Sequence, residues 1–399
     1  MKIKVAAAAP EILPGQPGQN MANVLAAISR AREDGAQLLV LPAGLPEDMN
    51  RGALERQAGK MAVYPITKEP LPREELAHPH PGLDILCCSS DTPSTVSSHY
   101  DNLNLAGLAS HENMAVVVLA CPMGGDGGTL YTGQCVIAQN GTVLQSADGY
   151  AIAQVTIPSR ERSAPVEELV TEQPTTPWTP FPEELPRILK LQGDGLARRM
   201  MRLGTTQLTV SVDRTASSLL ALTACVTAVD KLKLSRKNIH VTATGNRAHQ
   251  IAAAFGVASG GTNGLVVDST DLTRRVLENI RPEHYAVNAT VPRSVARLAM
   301  RHYANTCGDT ALSVPIRSIA RDDDASPWVL YDFLLHFSLI YDLPKWTQAR
   351  LLEDTFEHMY SLETIQSVLD RFFDTYRRPP VCDGPAVFST DMVRDTAAH

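Results

Sequence analysis

The sequence has no long apolar run and no excess of positive charge, and these absences exclude two classes of partner. Its apolar runs are far shorter than the roughly 20 residues that a helix needs to cross a bilayer, so no membrane partner is expected. The chain has 36 basic and 43 acidic residues, a net charge of −7, which disfavours binding to the phosphates of a nucleic acid.

Cysteine spacing and the start of the sequence bear on the cellular compartment. The seven cysteines form no C-x-x-C pair, and an odd number with scattered spacing is typical of a reducing environment. An apolar strand pattern begins at Ile3, without the pattern of a signal peptide before it. We therefore expect a cytoplasmic protein.

Glycine is missing from a turn that otherwise has the features of a phosphate site. Residues 208–223 read as a buried strand, a polar turn and the opening of a helix, which is the arrangement that binds phosphates at a helix N-terminus. A phosphate approaches backbone N–H groups closely, which favours residues without a Cβ, and an acidic residue there opposes an anion. The turn instead consists of Asp213, Arg214, Thr215, Ala216, Ser217 and Ser218. The pattern predicts the frame of a nucleotide site with altered contents.

The first part of the chain, residues 1–157, alternates strand and helix patterns. Asn140-Gly141, between two apolar stretches, is the dipeptide favoured in a two-residue hairpin turn. Residues 42–80, rich in Pro, Glu and Lys, are predicted to form a loop. This region is therefore predicted to be one α/β domain.

A proline-rich stretch divides the chain. Residues 158–186 contain seven prolines and are predicted to be a linker. Strands and helices alternate again within 187–399, and after Pro292 the patterns are mainly helical. The sequence thus predicts a second α/β domain with a helical tail.

Eight segments, taken in order, resemble glutamine-dependent NAD synthetase, an enzyme that joins a nitrilase-like glutaminase domain to a synthetase domain. They are residues 38–42, 131–141, 223–238, 264–272, 288–292, 303–309, 330–335 and 383–385. The resemblance implies an α/β fold in which an N-terminal nitrilase-like α-β sandwich precedes a Rossmann-like (adenine nucleotide alpha hydrolase-like) synthetase domain with a helical C-terminal tail. It places the glutaminase-like domain at 1–157 and the synthetase-like domain at 187–399.

The resemblance also implies which residues should carry the glutaminase chemistry, namely a Cys nucleophile, a Glu base and a Lys beside the oxyanion. The Glu position is Ala43, the Cys position falls near Gly59, and the segment with the Lys looks deleted. Cys87 and Cys88 lie in an apolar strand pattern, where burial is more typical than reactivity. The two histidines of the preceding proline-rich loop, His78 and His80, are more typical of a solvated loop than of a metal site.

In the synthetase-like half, the family's pyrophosphate loop reads Ser-Gly-Gly-x-Asp-Ser and aligns with residues 213–218. The final Ser alone remains, as Ser218, and the Asp that would hold Mg²⁺ is Ser217. Arg214 could still pair with a phosphate, although a solvated or Asp-paired arginine is more typical. In the later loop, which begins at Asp268, a Glu of the family pattern is replaced by Arg274, a reversal of charge. The acidic run 322–324 is interpreted as a solvated turn.

Three functions remain open from the sequence. The first is a catalytically inactive, shortened paralogue of NAD synthetase, a structural or regulatory subunit that associates with itself or with an active NAD synthetase. The second is a residual enzyme that still uses Mg-ATP to amidate deamido-NAD or adenylate another acid. The third is a metabolite-binding module in the same cleft. Under the first, no catalytic residue, cofactor or metal is expected.

Overall fold

A computed structural model describes residues 1–13, 15–43, 45, 49–66, 68–80, 83–125, 128–157, 182–261, 263–322, 327–339 and 343–388. The chain divides into two compact units. The first comprises Met1–Gly125 and Leu130–Glu172, and the second comprises Asp126–Thr129 and Gln173–His399. Most of the predicted linker lies outside the described residues, which resume at residue 182, and a helix begins at Leu185.

The first unit is built from two main sheets and a short ribbon. Its strands are β1 (Lys2–Ala8), β2 (Leu38–Val40), β3 (Ala62–Tyr64), β4 (Leu71–Pro72), β5 (Ile85–Ser89), β6 (Val116–Ala120), β7 (Met123–Gly125), β8 (Leu130–Thr132), β9 (Gln134–Gln139), β10 (Thr142–Asp148) and β11 (Tyr150–Thr156). One sheet has the order β11-β1-β2-β3, the other β10-β9-β6-β5-β4, and β7 pairs with β8. Both main sheets mix parallel and antiparallel pairs.

Three helices cover these sheets, α1 (Pro17–Glu33), α2 (Arg51–Ala58) and α3 (Ser98–Glu112). Successive side chains of β1 point to opposite faces, so Val5 joins an apolar cluster with Val118 of β6, whereas Ala6 joins a cluster with Ile28 of α1. On the second sheet, Leu86 packs in a cluster with Ala106 of α3. Because each sheet is covered on both faces, central strands such as β2 and β6 are buried along their whole length, whereas β10 at a sheet edge is not. The predicted α-β sandwich is confirmed.

The prediction for the turn after β9 is confirmed, but the prediction of one long loop over 42–80 is wrong. Asn140 and Gly141 connect β9 to β10 with φ values of 52° and 80°. Residues 42–80 contain α2, β3, β4 and a 3₁₀ helix at Arg73–Ala77. Helix α2 begins at Asn50, whose side chain accepts a hydrogen bond from the Ala53 N–H. Half of its eight residues are polar or charged, so the helix has no clear apolar pattern in the sequence.

The second unit contains one parallel sheet. Its strands are β12 (Leu208–Val212), β13 (Ile239–Ala243), β14 (Ala258–Ser259), β15 (Leu265–Asp268) and β16 (Tyr285–Ala286), in the order β14-β13-β12-β15-β16. From β12 the chain runs outward through β13 and β14, then returns to β15 on the other side of β12. The carboxyl ends of β12 and β15 therefore form the switch point at which doubly wound sheets bind ligands. The predicted Rossmann-like sheet is confirmed.

Helices surround this sheet and then form the predicted helical tail. They are α4 (Leu185–Leu203), α5 (Ala216–Lys231), α6 (Asn246–Phe255), α7 (Leu272–Leu277), α8 (Arg293–Thr306), α9 (Thr310–Asp322), α10 (Trp328–Leu339), α11 (Lys345–Phe356) and α12 (Leu362–Thr375). In the tail, Leu334, Leu352 and Phe372 belong to one buried cluster. Within the described ranges, no helix combines the length and apolarity that a membrane crossing requires.

Candidate functional site

Two loops meet at the switch point of the second unit. One joins β12 to α5 over residues 213–215, and the other joins β15 to α7 over residues 269–271. Because β12 and β15 are parallel neighbours, both loops leave the same edge of the sheet. The Ser217 hydroxyl links them by donating a hydrogen bond of 2.7 Å to Asp271 Oδ2. The structure thus brings the altered phosphate loop and the later loop together.

The side chain of Asp213 occupies the start of α5. Its Oδ1 accepts hydrogen bonds from the Thr215 N–H at 2.8 Å and from the Thr215 hydroxyl at 2.6 Å. Thr215 Oγ1 in turn caps the helix by accepting from the Ser218 N–H at 3.2 Å. The Ser218 hydroxyl closes the loop, because it accepts from the Asp213 N–H at 3.1 Å. Groups that would face a phosphate are bound instead to the loop's own carboxylate and hydroxyls.

The charge of Asp213 follows from these contacts. Burial alone would raise the pKa of this carboxyl, but hydrogen bonds from Thr215 and Ser218, together with the Arg274 guanidinium, lower it below its usual value. Asp213 is therefore ionised at neutral pH. A fixed negative charge stands at the positive end of the helix dipole, where it repels a second anion.

Asp271 has a structural role that the sequence did not reveal. It is fully buried and begins α7, where its Oδ1 accepts from the Arg274 N–H at 2.9 Å. Its other oxygen accepts from Ser217. Burial raises the pKa of Asp271, against the opposing effect of the Arg293 guanidinium. The residue at the magnesium-ligand position, Ser217, is therefore already bonded to a buried carboxylate.

A pair of buried amides extends this connection. Asn288 Nδ2 donates to the Ser217 carbonyl at 2.8 Å and to the Ser269 carbonyl at 2.9 Å, so it holds both loops. Gln192 of α4 donates to Asn288 Oδ1 at 2.7 Å. Gln192 and Asn288 are completely buried. Sequence reasoning missed these amides, because partners separated by such long stretches of chain leave no local pattern.

A second buried carboxylate lies close to this network. Asp332 of α10 accepts hydrogen bonds from the Thr273 hydroxyl and, at 2.7 Å, from the Ser294 N–H. Burial, together with the charge of Asp271, raises the pKa of Asp332 to about 6, although the hydrogen bonds from Ser294 and Thr273 oppose this rise. Two acidic groups thus share the interior where α7, α8 and α10 meet.

The other predicted site residues lie around the same edge. Arg274 binds Glu278 Oε2 through Nε and Nη2 at 3.1 and 2.9 Å. Asp268 Oδ1 accepts from the Thr270 N–H at 2.7 Å. The Arg214 side chain is exposed and lies against Gly245, where a Cβ would stand 3.2 Å from Arg214 Nε.

Mg-ATP does not fit the residues of this edge. The Asp213 carboxylate fills the helix start, and the Ser217 hydroxyl is committed to Asp271. In the part of the chain that the structure describes, no group of three His, Cys, Asp or Glu side chains has the arrangement of a metal site. The assignment of Asp213–Ser218, Asp268 and Arg274 as a vestigial nucleotide site remains a prediction.

The first unit has a small cavity at the position predicted for the glutaminase base. Its volume is about 180 Å³, and Ala43 lines it beside Pro42. Apart from Tyr131, the described residues that line it have no ionisable side chain: Pro10, Ile12, Pro42, Ala43, Leu45, Pro122, Met123, Gly124 and Gly125. These residues do not supply the thiol, carboxylate and ammonium that nitrilase-type hydrolysis requires.

Gly59, the predicted nucleophile position, does not lie with Ala43. It ends α2 with a φ of 62° and precedes β3, whereas Ala43 follows β2. Because β2 and β3 are parallel, the two residues lie toward opposite ends of these strands. The interpretation of either residue as a lost catalytic position stays a prediction.

The alternative thiols are confirmed as buried. Cys88 is completely inaccessible and Cys87 nearly so. Burial raises the pKa of Cys87 to about 12 and raises the pKa of Cys88 further. Such thiols are protonated and unreactive at neutral pH.

No protein-family model matches the sequence, and no curated protein matches it either. Two solved structures align with nearly the whole chain. A glutamine-dependent NAD(+) synthetase from Cytophaga hutchinsonii aligns with 98% of this chain and 96% of its own, with a TM-score of 0.66 and 11% identity. A glutamine-dependent NAD+ synthetase from Acinetobacter baumannii, solved in complex with ADP, aligns with 95% of this chain and 96% of its own, with a TM-score of 0.57 and 13% identity. At these identities the likeness is one of fold, and the fold of this chain is that of glutamine-dependent NAD synthetases.

Proposed function

We propose that this chain is a non-catalytic relative of glutamine-dependent NAD synthetase and acts as a structural or regulatory subunit. The observation that carries the proposal is the bonding of the Asp213 carboxylate to Thr215 at the start of α5. An ionised carboxylate held there competes with the phosphates that synthetase chemistry must bind. The apolar cavity beside Ala43 supports the same conclusion for glutamine hydrolysis.

Catalytic inactivity is tested on the purified full chain. We expect no ammonia from glutamine, no NAD from deamido-NAD with Mg-ATP, and no heat on titration with millimolar Mg-ATP. An active glutamine-dependent NAD synthetase, assayed in the same buffers, shows that each assay works. Turnover above that of a heat-inactivated sample, or saturable ATP binding, would favour the residual enzyme instead.

The subunit role requires association, either between copies of this chain or with an active NAD synthetase. Sedimentation of the pure chain tests the first, and affinity purification of the tagged chain from its native cell tests the second. We expect a defined oligomer or a co-purified synthetase whose activity changes when this chain is removed. A protein that is monomeric at micromolar concentration and captures no synthetase contradicts the subunit role without reviving catalysis.

A further inference from the structure

A larger cavity lies at the opposite edge of the parallel sheet, beside the amino ends of β15 and β16. Its volume is about 590 Å³, within the range of small-molecule sites. We call it the amino-edge cleft. It is lined by the end of α4, the start of β15, the segment before β16 and residues 381–383. It is separate from the switch-point loops, because parallel strands place their amino and carboxyl ends at opposite edges.

Apolar side chains form one wall of the amino-edge cleft. Leu203 and Val381 are 51% and 48% exposed, although large aliphatic side chains are usually buried. Leu265 and Val266, which are partly buried, continue the wall along β15. Covering these side chains would be favourable in proportion to the apolar area removed from water. The wall therefore fits a ligand with an aliphatic body.

The charges in the amino-edge cleft favour a cation. Arg199 and Asp383 form an ion pair and neutralise each other. Glu283 is exposed and lines the cleft, and no described residue forms a hydrogen bond or ion pair with its carboxylate. One negative charge is thus left without a partner, on a chain whose net charge is −7. An anion would meet this charge, whereas an ammonium group would neutralise it.

The remaining polar groups suit an ammonium as well. A primary ammonium has three N–H donors and no acceptor. Besides the Glu283 carboxylate, the lining provides the His284 imidazole as an acceptor and the second lone pair of the Thr205 hydroxyl, whose other lone pair accepts from the Gln207 N–H. We propose that the amino-edge cleft binds a primary amine with an aliphatic body. The proposal does not depend on whether the chain is catalytic.

Three probes of equal length and different charge test the proposal, namely hexylammonium, hexanoate and hexan-1-ol. Binding is followed by NMR through the methyl signals of Leu203 and Val381 in the full chain. We expect hexylammonium to bind in the millimolar range, about ten-fold more tightly than either hexanoate or hexan-1-ol. Equal affinity for hexanoate, or no shift with any probe at millimolar concentration, overturns the proposal.

Two substitutions separate the charge from the apolar wall. Glu283→Gln is expected to weaken hexylammonium about five-fold and to leave hexan-1-ol unchanged. Leu203→Ser is expected to weaken both. The controls are Glu74→Gln, an exposed residue of the first unit, and Leu362→Ser, which is 66% exposed and away from the cleft. Because all four residues are exposed, folding should be preserved, and far-ultraviolet circular dichroism checks this. Unchanged hexylammonium affinity in Glu283→Gln also overturns the proposal.

Discussion

The cavity at Ala43 and the loop at Asp213 both lack the arrangement of groups that catalysis would need, but they lack it in different ways. The cavity at Ala43 is small and apolar, and its described lining has no thiol, carboxylate or ammonium group. The loop at Asp213 is instead filled with polar groups that bind one another. The described lining of the first site has no reactive groups, and the polar groups of the second are bonded to one another. We therefore expect a single substitution to reverse the second condition but not the first.

The polar network of the second unit also holds the fold together, which gives the strongest contrast with the Ala43 cavity. Asp271→Ala removes the cap of α7 and leaves the buried Ser217 hydroxyl without its acceptor. We expect the free energy of unfolding to fall by about 3 kcal/mol. Urea unfolding followed by tryptophan fluorescence measures it. Asp354→Ala, on the exposed face of α11, is the control, and a loss below about 1 kcal/mol would contradict the network's structural role.

The buried carboxyl of Asp332 predicts a pH dependence for the second unit. A folded-state pKa of about 6, against 3.8 ordinarily, means that the folded chain holds this proton more tightly than the unfolded chain. Its contribution to stability is therefore complete below pH 4 and is lost as the pH rises through 6, a change of about 2–3 kcal/mol. Asp332→Asn should lack this component.

The measurement is the difference in unfolding free energy between the wild type and Asp332→Asn across this range of pH. Carboxyl groups that do not interact with Asp332 contribute equally to both proteins and cancel in the difference, whereas Asp271 contributes through its interaction with Asp332. Asp354→Asn serves as the control. A difference that does not change between pH 4 and 7 would mean that Asp332 is ionised throughout, and the network would then be more solvated than its burial indicates.

Features of these sites that depend on neighbouring residues could be predicted from the sequence, whereas contacts between residues far apart in the chain could not. The lack of glycine in 213–218 was readable, and an Asp two residues before a Thr is a local turn pattern. The bonds from Ser217 to Asp271 and from Asn288 to Ser217 join distant parts of the chain and leave no periodic trace. The strand–turn–helix frame was therefore predictable, but the hydrogen bonds that join it to distant residues were not.

The secondary structure could likewise be predicted only in part. Long apolar strands and helices were predicted, and the α-β sandwich and parallel sheet are confirmed. Helix α2 was missed because Leu54 and Ala58 alone are buried on it. Helix α9 contains Pro315, a residue that usually ends a helix, and here tertiary packing of Ile316 and Ile319 outweighs that preference.

Opening the Asp213 loop should change binding more than stability. Asp213→Ala frees the Thr215 N–H and removes the fixed charge, so inorganic pyrophosphate should bind in the millimolar range where the wild type shows no binding. The expected loss of stability is about 1 kcal/mol. NMR shifts of the Thr215 and Ser218 amides report the binding. Asp213→Asn keeps an acceptor without the charge and should bind more weakly than Asp213→Ala; equal binding by the wild type would contradict occupation of the site.

The smallest effect is expected at Ala43, where adding a carboxylate should not produce glutamine hydrolysis. Ala43→Glu supplies the missing carboxylate, but the described lining of the cavity adds no thiol and no ammonium to work with it. We expect no ammonia from glutamine and a change in stability within about 0.5 kcal/mol, because Ala43 is exposed. Ala43→Gln, equal in size and uncharged, is the control. If Ala43→Glu alone released ammonia, a nucleophile would have to remain near Ala43. One substitution would then be enough to give the first unit activity, just as one substitution is expected to let the second unit bind phosphate.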